Sequence, residues 1–544
     1  MVDERRAAYL RAYELFEDVQ SEQQAAAVAT LPDALKVAAT QGWREVEFVL
    51  AAAGAVHALV GGDGHIGAAV EVQGLVTRAE DLDAPALLAV ALGLRAVAAA
   101  SVGDTAGLMS DASRAVALLD DASQPPLDRS TGYVVTAAAF NTLRLWELVD
   151  ELYTLAGDVE QDCPVPVQAA AIAVNRVLTR VEWALALLEN GDEKQAQLRM
   201  TQALEAVPAA VAQRLPPLWR RDVEALSAVA ELLRDASAPV VPQTIAQHRQ
   251  ALVDDKDIEV LPLLDAATAL AFWRAGQADE AAAAVDRLTA TSSVSSGARS
   301  FPAWVRARVL AGQEPSAAVR AQQDHADLLS RLRWESREAV LAAARTHIAA
   351  ERRQGEHDRL SRAVNTDPLT GLHNRRVFDS WLDRRAPGRA RPTALLLVDL
   401  DDFKTVNDTF GHDYGDEVLR RFGRLLLTSI RPGDLAVRHG GDEFALLLED
   451  DRLTVAAAQH RASDLRDAIV GEPWSQLAPG LDVTASIGMA VAVPTLDAAL
   501  VDAAGLYRAA DTALYTAKRD GSGLAVHVLR GDEVDRTTGR HQGD

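Results

Sequence analysis

The stretch Asp434-Leu435-Ala436-Val437-Arg438-His439-Gly440-Gly441-Asp442-Glu443-Phe444-Ala445-Leu446-Leu447-Leu448 reads as two apolar strands meeting at the tip of a β-hairpin. Gly440 and Gly441 at such a tip tolerate positive φ and carry no Cβ to obstruct a bulky polyanion. Asp442 and Glu443 beside them suit divalent cations that neutralise phosphate.

A second acid stands upstream. Thr393-Ala394-Leu395-Leu396-Leu397-Val398-Asp399-Leu400-Asp401 is a nearly continuous apolar run ending in carboxylates, the pattern of a strand buried on both faces. If it pairs beside the hairpin, Asp399 converges with Asp442 and Glu443. Three carboxylates so close repel unless cations sit among them, so a two-magnesium site bridging nucleotide phosphates is expected.

With the following segment, Asp401-Asp402-Phe403-Lys404-Thr405-Val406-Asn407-Asp408-Thr409-Phe410-Gly411-His412-Asp413-Tyr414-Gly415-Asp416-Glu417, the chain resembles the GGDEF-domain diguanylate cyclases, which condense two GTP into cyclic di-GMP. Further blocks match in order: Asp367-Pro368-Leu369-Thr370-Gly371-Leu372, Arg431-Pro432-Gly433-Asp434, Val483-Thr484-Ala485-Ser486-Ile487-Gly488 and Ala510-Asp511-Thr512-Ala513-Leu514-Tyr515-Thr516-Ala517-Lys518. The resemblance covers the last third of the chain.

It implies roles that the chemistry supports. Asp399, Asp442 and the Leu400 carbonyl are the implied metal ligands, a hard-oxygen set for magnesium or manganese. Glu443 is the implied metal-linked acid that helps deprotonate the attacking hydroxyl. Asn407 and Asp416 are implied guanine readers; guanine offers a carboxylate the N1–H and N2–H pair that adenine lacks, so ATP should be rejected. Gly440 and Gly441 line the phosphates, and Lys404 and Lys518 contact them as point charges. Each domain would bind one GTP, and two domains would face each other, so that a homodimer completes the ring and expels pyrophosphate.

Arg431 and Asp434 resemble the family's inhibitory product site, five residues before the glycine pair. A plain Pro-Gly turn accounts for the same four residues without a ligand. The assisting arginine is unassigned: Arg461 and Arg466 are near, but alignment places Asp464 there. Ser522 replaces an arginine the family commonly carries after Lys518, which leaves a rival reading, a catalytically inactive GTP- or cyclic-di-GMP-binding regulator or scaffold.

Composition bounds the rest. The 544 residues carry a formal net charge of −23 and are 49% hydrophobic, which predicts several domains with sizeable cores and argues against attraction to nucleic acid or an anionic membrane. Cys163 is the single cysteine, so bridges within one chain are impossible and a reducing cytoplasm fits. The most apolar stretch, Ala84 to Val102, is interrupted by Pro85 and Arg95, and no membrane segment is expected.

Residues 1–315 are alanine-rich, and helix-turn-helix units repeat loosely around Gly103-Asp104, Gly191-Asp192 and Gly276-Gln277. The pattern resembles a tetratricopeptide-like array offering a concave surface to a protein, peptide or small molecule; an ordinary helical bundle fits too. Loops are expected at Asp121 to Pro126, Ala238 to Pro242 and Thr291 to Gly297. Residues 316–365 lack proline and place Trp334, Leu341 and Ile348 at intervals of seven, which suits a connecting helix, alone or in a short parallel coiled coil. The expected organisation is an all-α helical-repeat region (1–315), this connector, an α+β catalytic domain of β-α-β-β-α-β order with a central antiparallel sheet (366–530), and a disordered tail (531–544).

Overall fold

The computed structural model describes residues 2–20, 24–60, 65–159, 165–213, 215–235, 242–254, 260–288, 300–313, 316–384, 392–431, 433–492, 503–521 and 523–529. Cys163, Pro432, Ser522, the Thr291–Gly297 loop, most of the Ala238–Pro242 loop and the tail from 531 lie outside the described residues. The chain divides into two compact units, Met1–Gly355 and Glu356–Asp544.

The first unit is helical. Its elements are α1 (Val2–Asp18), α2 (Gln24–Gln41), α3 (Arg44–Val60), α4 (His65–Asp81), α5 (Pro85–Ser101), α6 (Thr105–Leu119), α7 (Pro126–Thr142) and α8 (Trp146–Val159). There follow α9 (Pro166–Glu189), α10 (Glu193–Ala212), α11 (Pro217–Arg234), α12 (Pro242–Asp254), α13 (Leu261–Arg274), α14 (Ala278–Arg287), α15 (Ser300–Gln313) and α16 (Ala317–Asn365), the last running on into the second unit.

The three turns predicted from glycine all form. Gly103, Gly191 and Gly276 adopt φ of +77°, +84° and +73°, a left-handed conformation that closes a helix at little steric cost. The next residue then starts the following helix: Asp104 accepts from the Gly107 N–H, and Asp192 from the Gln195 N–H. Asp83 and Arg144 hold positive φ at two further helix junctions, turns that no glycine advertised. α5, the most apolar stretch, is buried around most of its surface because α4, α6 and α7 pack on it. No described helix is long and apolar enough to cross a membrane.

Within the first unit α16 is seated rather than free. Trp334 stacks on Trp146 at 6.4 Å, and Ala344 and Ile348 are buried in the core. Arg337 donates to both Glu147 carboxylate oxygens at 2.6 and 2.7 Å and to the Arg144 carbonyl. The sevenfold spacing of Trp334, Leu341 and Ile348 therefore serves packing inside this chain, while Leu328, Leu329, Leu332 and Leu360 remain exposed.

The second unit contains β1 (His373–Asn374), α17 (Arg375–Arg384), β2 (Thr393–Leu400), α18 (Phe403–Phe410), α19 (His412–Ser429), β3 (Leu435–Gly440) and β4 (Glu443–Glu449). It ends with α20 (Val455–Gly471), β5 (Ala485–Ala492), α21 (Ala503–Asp520) and β6 (Leu524–Leu529). The sheet order is β1-β3-β4-β2-β5-β6. Its four middle strands are antiparallel and follow the predicted β-α-β-β-α-β order, but the sheet as a whole is mixed: β1 runs parallel to β3, and β6 parallel to β5. A helical crossover, α21, makes the second of these parallel pairings possible.

Every residue of β2 is buried. Ala394, Leu396, Val398 and Leu400 point into the layer with α18, α19 and α20, and Leu395 and Leu397 into the layer with α17 and α21. This alternation decides which side of the sheet receives Asp399.

Candidate functional site

Asp399 continues the period of Leu395 and Leu397, so its carboxylate emerges on the α21 side of the sheet. Lys518, in the last turn of α21, meets it with Nζ–Oδ1 at 2.7 Å. Gly488 permits this approach: a Cβ there would lie 2.1 Å from the Leu514 backbone nitrogen. Helix α21 thus lies directly on β5 and delivers Lys518 one turn later.

Antiparallel register sets Asp399 opposite Glu443, and the Leu400 N–H donates to the Asp442 carbonyl at 3.2 Å. The end of β2 and the hairpin tip are therefore joined. Burial pushes the Asp399 carboxyl up; the Lys518 bond opposes this, and the charges of Asp442 and Glu443 add to the rise. The rim is a place where positive charge is favoured.

The expected convergence is looser than the sequence suggested. Among the described residues no three His, Cys, Asp or Glu side chains are gathered closely enough to hold a metal ion. Like-charged carboxylates disfavour one another, and two of the three have another neighbour: Lys518 for Asp399, and the His439 imidazole, 3.6 Å away, for Glu443. The donor chemistry of Asp399, Asp442 and the Leu400 carbonyl still suits a hard divalent cation such as magnesium.

The hairpin tip is held from below. Arg438 donates through Nε and one terminal nitrogen to the Gly441 carbonyl at 2.9 and 2.8 Å, and through the other to Asp367 at 3.2 Å. Asp367 is partly buried, which raises its carboxyl, but bonds from Thr370 and Arg438 outweigh this and hold it below the usual range. Asp401 is occupied too, accepting from the Thr484 and Ser486 hydroxyls at 2.8 and 2.7 Å. Sequence reading missed the Arg438 clamp; a lone arginine ahead of a glycine pair carries no distinctive signal.

Asn407 of α18 and Asp416 of α19 stand on either side of the α18–α19 junction, both half-buried. The Gly411 N–H donates to the Asn407 carbonyl, and Gly415 packs so closely that a Cβ would strike the Asn407 side chain. Lys404 projects from α18 and is exposed, as are Gly440 and Gly441. The pair expected to form an inhibitory site is also local: Asp434 accepts from the Arg431 backbone N–H at 3.0 Å and from Arg461 at 2.6 Å. Alignment had put Asp464 in the assisting position. In α20 it is Arg461 that faces Asp434, whereas Asp464 bonds His460 one turn away on an exposed face.

Comparison with known proteins finds relatives of one segment of the chain. The response regulator PleD of Caulobacter vibrioides is 41% identical over 167 residues, 30% of this chain and 35% of PleD. The probable diguanylate cyclase DgcT of Escherichia coli is 39% identical over 165 residues, 30% of this chain and 35% of DgcT. This chain thus spans about a third of the length of these relatives. A crystal structure of the coiled coil and GGDEF domain of DgcB from Caulobacter crescentus with c-di-GMP aligns at 29% identity, covering 35% of this chain and 98% of that one, with a TM-score of 0.30. Residues 364–523 match the family GGDEF, described as the diguanylate cyclase GGDEF domain, and it is in this segment that the whole of the rim described above lies.

Proposed function

We propose that the chain is a diguanylate cyclase, joining two GTP into cyclic di-GMP with release of two pyrophosphates. The observation that carries this reading is the junction of β2 with the hairpin tip, where Asp399 pairs with Lys518 and lies in register opposite Glu443, next to Asp442, inside a segment matched by the diguanylate cyclase family. Sequence relatives named as diguanylate cyclases support it.

In this reading Asp416 and Asn407 hold guanine, and the open backbone at Gly440 and Gly441 receives the phosphates. Lys518 moves its ammonium from Asp399 toward phosphate as substrate enters, and Lys404 reaches it from α18. Magnesium, held by Asp399, Asp442 and the Leu400 carbonyl, would neutralise phosphate charge as a Lewis acid. Glu443 assists loss of the 3′-hydroxyl proton. Each 3′-oxygen then attacks the other nucleotide's α-phosphorus, and the bond from that phosphorus to the β-phosphate oxygen breaks. A homodimer supplies the two half-sites, positioning provides much of the acceleration, and Arg431, Asp434 and Arg461 receive cyclic di-GMP as an inhibitor. The helical region, tetratricopeptide-like in our reading, takes a protein, peptide or small-molecule input through the 316–365 connector, in the cytoplasm.

Incubation of the full chain with GTP and magnesium, after removal of any prebound cyclic dinucleotide, should give cyclic di-GMP by mass spectrometry. Asp442→Ala should reduce the rate by at least about a thousandfold. Absence of product from the unsubstituted chain would overturn the reading.

A further inference from the structure

Far along the chain from the nucleotide rim, the helical unit contains a partly open cavity of about 250 Å³. Its polar wall comes from Glu17 and Gln20 at the end of α1, Asn175 on α9 and Asp222 on α11. The remainder is apolar, with Trp219 and Leu226 of α11 as the largest groups besides the aliphatic residues of α7, α9 and α13.

Glu17 is the anomaly. Its side chain is 4% exposed, yet its carboxyl has no hydrogen-bond or ion-pair partner among the described residues. Burying an ionisable group without a partner is costly, and helices pack as well around a leucine. Burial, with Asp18 adding to it, pushes this carboxyl up to about 7. The nearby groups make no amends. Tyr153 is itself raised by burial and by the charges of Glu182 and Glu17, and among the described residues no lysine, arginine or histidine lines the cavity. What the described wall lacks is a positive charge.

A metal ion does not fit, because a hard cation requires several convergent oxygen donors and among the described residues no three His, Cys, Asp or Glu side chains are gathered closely enough to hold one. The size decides the remainder. A cavity of about 150 Å³ accommodates benzene, so 250 Å³ takes a ring with a short aminoalkyl chain. We propose that this cavity binds a small organic monocation, an amine on an apolar or aromatic body, with the ammonium against Glu17 and the hydrocarbon against Trp219 and Leu226. The site is independent of the nucleotide reading, since the observable is binding.

Isothermal titration of the full chain at neutral pH tests it with phenethylamine and tryptamine against N-acetylphenethylamine, which keeps the hydrocarbon and loses the charge. At least one amine should bind with one equivalent per chain and at least about tenfold more tightly than the amide. Glu17→Gln should weaken the amine about tenfold and leave the amide unchanged. Leu226→Trp, which fills the cavity and keeps the carboxylate, should abolish binding with helicity retained by circular dichroism. The proposal fails if the amide binds as tightly as the amines, if Glu17→Gln leaves the amine's affinity unchanged, or if neither amine gives heat up to about 5 mM. The comparison of amine with amide uses the unsubstituted chain, so it stands even if a variant does not fold.

Discussion

Glu17 shows how one side chain can make stability depend on pH. Its folded carboxyl titrates near about 7 against an ordinary 4.5, so between those values the folded state binds more protons than the unfolded one. Stability is therefore full below about pH 4.5, falls as pH rises, and levels off above about 7, a loss of about 3 kcal/mol. Glu17→Gln should remove this slope, leaving the variant more stable than the parent at pH 8 and similar at pH 4.5, as read by urea denaturation at both. Arg461 acts at the same scale through orientation. Its bond to Asp434, whose side chain is only 7% exposed, orients the carboxylate that we assign to product binding. Arg461→Ala should raise the cyclic di-GMP concentration needed for half-inhibition at least about tenfold, with the uninhibited rate unchanged within about twofold.

Elements act by carrying those residues to their stations. Helix α21 reaches the sheet because Gly488 has no side chain, and Lys518 meets Asp399 one turn after the contact. Gly488→Val should force helix and strand apart, costing about 3 kcal/mol by chemical denaturation. Turnover should fall at least about tenfold even where the variant is fully folded, because Lys518 moves with the helix. The hairpin illustrates the complementary case. Its two strands and glycine tip were plain from alternation and composition, yet what keeps the tip in place is Arg438, tied to Gly441 and Asp367, the latter 71 residues away in sequence. Long-range clamps of this kind leave no local pattern to read. The connecting helix was likewise legible as a helix, while the destination of Trp334 and Ile348 was not, since the same sevenfold spacing suits a partner helix or the chain's own core.

At the scale of the whole molecule, the proposed chemistry requires two catalytic domains for every product ring. The rate per chain should then drop on dilution below the dimer dissociation constant, becoming proportional to protein concentration while the total rate becomes second order in it; a rate per chain that stays constant down to low nanomolar protein would contradict the dimeric mechanism. Reading residues in order was enough to recognise a helical first part and an α+β last part, and to nominate Asp399, Asp442, Glu443 and Lys518, because hydrophobic period, glycine placement and ordered motif blocks are local properties. It was not enough to predict that Lys518 would neutralise Asp399, that Arg461 rather than the residue at 464 would face Asp434, that the outer strands would be parallel to their neighbours, or that Glu17 would be buried beside a cavity with no counter-charge among the described residues. Each of those outcomes depends on which distant surfaces come within a few ångströms, and burial, like-charge repulsion and the space available to a side chain exist only once the chain has folded.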